Sequence, residues 1–187
     1  AIHERLVGSE MCIRDRSSGV APIWVDSTGQ NRIIVIPGAN NEIDAQKAIS
    51  SMTEIGDISV LVGQCEIPME VNHEVFEFAK SNAITTIFNP APARKLEKEF
   101  LEHVTWLIPN ENEFELISGM EPNDENFLRF KKDIPCNLIV TLGEKGAVLV
   151  GGDKTCLLYT SDAADDSLRV DLGGRRIIKK IGIVGVQ

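Results

Sequence analysis

A chain of 187 residues, 43% hydrophobic and 25% charged, is long enough for one domain with a substantial core, and its balance excludes a disordered tail. A formal charge of -9 and a pI near 4.9 would repel nucleic acid or an anionic membrane over most of the surface. A small anion such as a nucleotide stays open, because backbone N–H groups, helix N-termini and a metal can hold one without a basic protein.

No apolar run approaches the roughly 18 residues of a membrane span. The opening segment AIHERLVGSEMCIRDR lacks the basic-then-apolar order of a signal peptide, so the expected location is cytoplasmic. Cys12, Cys65, Cys136 and Cys156 are scattered without metal-like spacing, which suits reduced thiols. His3, His73 and His103 also show no ligand spacing, and the last two fall in charged helical stretches where they are expected to face solvent.

Residues 20–36 open the readable part of the chain. Two β-rich runs, VAPIWV and RIIVI, flank the polar turn DSTGQN, and this order predicts a hairpin forming a small flap. After PGANNE a helix is predicted over 44–52, followed by the strand ISVLVG at 58–63. The helix after Pro68 sets Val71, Val75, Phe78 and Ala79 at helical spacing on one face. A strand at 85–88, a charged helix at 96–103 and a strand at 105–108 follow. Helices over 111–118 and 125–132 then lead into a strand at 137–142. Apolar strands separated by helices predict right-handed crossovers and a parallel sheet in a three-layer α/β/α arrangement.

In such a sheet ligands bind beyond the carboxyl ends of the strands. The successive predicted strands run into GQCE, ending at Glu66, into NPAPAR from Asn89, into PNENE with Asn110 and Glu113, and into TLGEKG from Thr141 to Gly146. Each cluster has a structural reading beside the functional one. Asn110 with Glu113 three residues on is a capping-box pattern, compatible with a phosphate held through a metal at the same helix start. TLGEKG is equally a tight strand-to-strand turn, Glu66 an exposed loop acid, and Asn89 before Pro90 a turn former.

In this order, the segments GVAPIWVDSTGQNRIIVIPGANNE, LVGQCEIPME, NPAPAR, WLIPNENEFELISG and IVTLGEKGAVLV resemble the ribokinase/PfkB family of carbohydrate kinases, from Ser17 to Lys154. NPAPAR and the PGAN-containing flap are nearer the ribokinase branch than fructokinase-like or nucleoside kinase relatives, which implies D-ribose as substrate and D-ribose 5-phosphate as product. The resemblance implies that the hairpin is a lid over the sugar, touching it through Ala21 and Ile23, and that Glu66 accepts hydrogen bonds from sugar hydroxyls. It places Asn110 on the nucleotide phosphates, Glu113 on Mg²⁺, and Thr141, Gly143 and Gly146 against the nucleotide. ATP and Mg²⁺ are the implied cofactors, with K⁺ as an implied activator and a homodimer formed through the lid. Other PfkB sugar or nucleoside kinases, and a non-catalytic binding module on the same fold, are the alternative readings.

The family pattern continues to a GAGD segment whose Asp is the catalytic base, and none of the 187 residues forms that segment. No catalytic base is therefore assigned, and the expectation is a ribokinase-like piece over 17–154, truncated at both ends and inactive by itself. VGSEMCIRDR at one end, and CLLYTSDAADD with VDLGGRR at the other, resemble translated sequencing-adapter DNA. Residues 1–16 and 155–187 are accordingly expected to be non-native, and the basic run Arg175, Arg176, Lys179, Lys180 is no evidence for nucleic-acid binding.

Overall fold

The structure, a computed structural model, describes residues 19–25, 31–151, 154–158 and 181–183. Cys12, His3, the tip of the hairpin turn, the segment 1–16 and most of 155–187, including the four basic residues, lie outside the described residues.

The hairpin forms as its sequence predicts. Strand β1 (Ile23–Val25) pairs antiparallel with β2 (Asn31–Ile33), and Val20 and Ile36 exchange backbone hydrogen bonds of 2.9 Å at its open end. A 3-10 turn, Gly38–Glu42, leads to helix α1 (Ala45–Ile55), whose N-cap Asp44 accepts a hydrogen bond from the Lys47 N–H.

From there strands and helices alternate. Strand β3 (Val60–Gln64), helix α2 (Met69–Ser81), strand β4 (Thr85–Asn89), the one-turn helix α3 (Lys98–Leu101) and the short strand β5 (Trp106–Leu107) come first. Helices α4 (Glu111–Ser118) and α5 (Asp124–Asp133) then precede strand β6 (Asn137–Thr141). Each of the pairs β3–β4, β4–β5 and β5–β6 is parallel. Beyond β6 the sheet turns antiparallel, with β7 (Ala147–Gly151) and β8 (Lys154–Leu158) added by short connections. At the other edge β9 (Ile181–Ile183) lies parallel to β3, giving the order β8-β7-β6-β5-β4-β3-β9. The parallel sheet read from the alternating pattern is thus β3 to β6. The TLGEKG segment is the strand-to-strand turn, because the five residues between β6 and β7 are too few for a crossover helix.

Register explains the core. Gly63, Phe88, Leu107, Leu138 and Val150 are successive partners across the sheet, so their side-chain positions form one transverse row on one face, and all five are buried. Right-handed crossovers between sequentially adjacent strands carry α2, α3, α4 and α5 to that same face. Two phenylalanine groups fill the interface. Phe76 of α2, Phe88 of β4 and Phe100 of α3 have ring centroids 4.7–5.5 Å apart, and Phe114 meets Phe127 and Phe130 at 4.7 and 5.4 Å.

Some local expectations shift. On α2, Phe76 and Asn72 are fully buried while Phe78 is only partly so, because the face toward the sheet is rotated from the one the apolar spacing alone selects. Helix α3 is one turn, shorter than the predicted 96–103, with Glu97 in extended backbone at its start.

Candidate functional site

Because β3 to β6 are parallel, Asn89 and Thr141 at the last positions of their strands, and Glu66 and Asn110 just beyond theirs, lie along one rim. Two tighter groupings form there.

The first grouping is a cleft of about 340 Å³ between the lid side and the tops of β3 and β4, lined by residues that include Val35, Pro37, Asn41, Cys65, Glu66 and Arg94. The Cys65 N–H donates to the Ala91 carbonyl at 2.8 Å, tying the two strand-end loops together under it. Glu66 is half-buried and lines this cleft, so a carboxyl group with several acceptor positions borders the space. Ala21 and Ile23 are exposed and do not line the cleft; the lid side contributes Val35 and the following loop instead. Val35, Asn41 and Arg94 carry no motif of their own, although Arg94 closes NPAPAR and Asn41 follows PGAN.

Burial pushes the Cys65 thiol up to about 11, with the Arg94 guanidinium pulling it down and the Glu113 carboxylate pushing it up. Cys65 is therefore a protonated core thiol at neutral pH.

The second grouping joins β5 and β6. Asn110 and Thr141 are bridged, the Thr141 N–H donating to the Pro109 carbonyl at 2.9 Å. The capping box read from the sequence is complete: the Glu113 N–H donates to Asn110 Oδ1 and the Asn110 N–H donates to Glu113 Oε2, each at 2.8 Å. Asn110 is exposed, Glu113 is buried, and the cap leaves the Asn110 amide nitrogen and the second Glu113 oxygen for other partners. Glu111 and Glu113 place two carboxylates in the first turn of α4, where the helix dipole already has its negative charge. A phosphate beside them requires a cation between, and oxygen donors from a carboxylate and from water suit Mg²⁺. These residues therefore fit the metal that the sequence implies.

Beyond Thr141 the chain turns through Gly143–Lys145. The Gly146 N–H donates to the Gly143 carbonyl at 3.0 Å, and the Leu142 N–H to the Gly146 carbonyl at 2.8 Å. Gly143 has φ +57° and nothing within 4 Å of the position a Cβ would take, so the turn needs glycine for its backbone and leaves open space for a flat ligand. Asn89 Oδ1 is buried without a hydrogen-bond partner at the same rim, an acceptor beyond the turn-forming role. A larger cavity of about 400 Å³, lined by Met52, Asp57, Phe78 and Asn82 among others, lies between α1 and α2 at the amino ends of the strands, away from these groups.

His73 and His103, expected to face solvent, are half-buried and meet edge to face with ring centroids 5.1 Å apart. Thirty residues of chain separate them, so only the packing of α2 beside the segment after α3 reveals the pair.

The class these elements define is an α/β fold whose parallel-sheet rim carries a carboxylate-lined cleft and a capped, acid-rich helix start beside a glycine turn. The chain belongs to the pfkB family carbohydrate kinases, whose family model matches residues 2–163. It is similar to the deoxyribokinase of Salmonella typhimurium, 33% identical over 145 residues that cover 74% of this chain and 47% of that protein. It is similar also to the ribokinase of Lactococcus lactis, 35% identical over 138 residues, 74% of this chain and 44% of that protein. The crystal structure of ribokinase from Thermotoga maritima superimposes with a TM-score of 0.59 at 36% identity, covering 76% of this chain and 48% of that one. The chain spans about half the length of the curated relatives it matches. Among the described residues no helix is long and apolar enough to cross a membrane.

Proposed function

We propose that this chain carries the lid, the sugar carboxylate and the nucleotide-phosphate contacts of a cytoplasmic, ATP-dependent ribokinase. The observation that carries the reading is the shared rim: the Glu66 cleft at the ends of β3 and β4 and the Asn110–Glu113–Thr141 grouping at the ends of β5 and β6 lie along the carboxyl edge of one parallel sheet. Glu66 accepts hydrogen bonds from ribose hydroxyls and fixes the ring. Asn110 and the first N–H groups of α4 orient phosphate oxygens, while Thr141, Gly143 and Gly146 support the nucleotide. Glu113 holds Mg²⁺ through water, and Mg²⁺ neutralises phosphate charge when bound. Lid closure excludes water from the cleft.

In the reaction a bond forms between the ribose 5-oxygen and the γ-phosphorus, the bond from that phosphorus to the ADP oxygen breaks, and the hydroxyl proton passes to a carboxylate base. These 187 residues contain no GAGD segment to supply that base. The 187-residue polypeptide is therefore expected to bind ligands without turning them over, and a coupled assay showing ribose-dependent ADP release well above background would defeat that. Joined to its native downstream sequence, the protein should phosphorylate ribose and should lose rate when Na⁺ replaces K⁺; failure on every sugar would overturn the kinase reading.

The Salmonella relative favours a second substrate, 2-deoxyribose, since its identity to this chain is close to that of the ribokinase. Competing the two sugars in one assay separates the readings. Exposed Val20, Ile23, Trp24, Ile34 and Ile36 support lid-to-lid homodimerisation, which light scattering measures. The adapter-like origin of residues 1–16 and 155–187 is tested by long-read sequencing of the source locus, where uninterrupted genomic coding of both would exclude it.

A further inference from the structure

We propose that His73, Glu77 and His103 form a binding site for a divalent transition-metal ion of the Zn²⁺ class, linking α2 to the segment that leads into β5. The coordinating atoms of the three side chains all lie within 4.8 Å of one another. His73 and Glu77 are four residues apart on α2, hence on one helix face. His103 reaches them from the segment after α3, and its backbone is held on both sides. Its N–H donates to the Phe100 carbonyl at 3.0 Å, and its carbonyl accepts from Thr86 Oγ1 at 2.7 Å. Thr86 is itself fully buried and also accepts from the Thr105 N–H, so the anchor under His103 is rigid.

Both imidazoles are half-buried and restrained by ring contacts, His73 on Phe100 at 6.2 Å and on His103 at 5.1 Å. Glu77 is exposed and can swing. Metal bonds of about 2.0–2.2 Å require donor atoms roughly 3.3 Å apart in a tetrahedron, a closure that small side-chain rotations supply from the present separation. Two imidazoles and one carboxylate form the donor set of borderline divalent ions, with a fourth position for water. Mg²⁺ prefers six oxygen donors and does not compete well for it.

The site is distinct from the rim of the sheet. His103 precedes the amino end of β5, whereas Asn110 follows its carboxyl end. An ion here would clamp α2 to the start of β5 beside the Phe76–Phe88–Phe100 group and stabilise the fold by mass action. The inference does not depend on the kinase reading.

The test is titration of the reduced 187-residue chain, carrying Cys12→Ser and Cys156→Ser to remove two thiols that could bind zinc, with ZnCl₂ against a competing fluorescent chelator, alongside thermal unfolding. One equivalent of Zn²⁺ should bind and raise the melting temperature, and MgCl₂ at the same concentration should do neither. The exposed-site variant Glu77→Gln, which leaves the core untouched, should weaken Zn²⁺ by more than the roughly tenfold that even a supporting residue costs. The His73→Ala/His103→Ala variant should abolish the specific equivalent. X-ray absorption of the zinc-loaded chain should show two imidazoles. Zinc binding that survives unchanged in both variants, or absence of any saturable equivalent in the parent chain, would overturn the proposal.

Discussion

On one face of the sheet Leu61, Phe88, Leu138, Val140, Val148 and Val150 lie no more than 3% exposed, while Val60, Val62, Ile87, Ile139 and Leu149, one residue along, remain half-buried. Both sets are apolar, as expected of strands covered on both sides. The difference is that the described helices pack against the first face, so the fold's hydrophobic free energy is concentrated there, and substitutions of similar chemistry should differ in cost by face.

The largest expected effect is on the covered face. Phe88→Ala removes a ring that touches both Phe76 and Phe100, and should cost about 3–5 kcal/mol, read from urea unfolding of the 187-residue chain. Next is Gly63→Ala in the same transverse row. Its new Cβ would come 2.6 Å from Phe76 Cε2, and the overpacking should cost about 1–3 kcal/mol by the same measurement. A loss approaching zero there would mean that the Phe76 ring moves freely, weakening the contrast between faces.

At the rim, Asn110→Ala removes the side-chain half of the capping box and should cost about 1 kcal/mol. Under the proposed function it also weakens ATP binding, whereas Asn110→Asp should restore the cap alone, so calorimetry with ATP separates the two roles. The smallest effect is on the half-covered face, where Ile87→Thr keeps a β-branched side chain and should change stability by less than about 1 kcal/mol. It should raise solubility, measured by light scattering, because it interrupts an apolar stripe. An Ile87→Thr cost equal to that of Phe88→Ala would break the comparison.

The distribution of legible and hidden features follows from interaction range. The bounds of α4 are readable because its start is a local hydrogen-bond pattern between Asn110 and Glu113 and its end is Gly119 with φ +71°. The strand-end clusters are readable as a set because the parallel topology follows from apolar strands alternating with helices. The lid-side lining of the cleft by Val35 and Asn41 is not, since Ala21 and Ile23 stand on the same hairpin as Val35 and only the docking of that hairpin and the turn after it chooses between them. Buried Asn72 is similarly hidden. Its side-chain N–H donates to the Gln64 carbonyl at 2.9 Å, a tertiary contact that satisfies the amide nitrogen in the core while the buried Oδ1 has no partner.

Sequence alone determined the hairpin, the order of strands and helices, the capping box, the glycine turn and the resemblance to carbohydrate kinases, because each rests on periodicity, local hydrogen bonding or motif order. Tertiary structure decided which face of the sheet is covered, which residues line the cleft and that His73 meets His103. Those outcomes depend on how α2, α3 and the lid pack against the strands, and residues separated by tens of positions acquire their relation only when the helices dock.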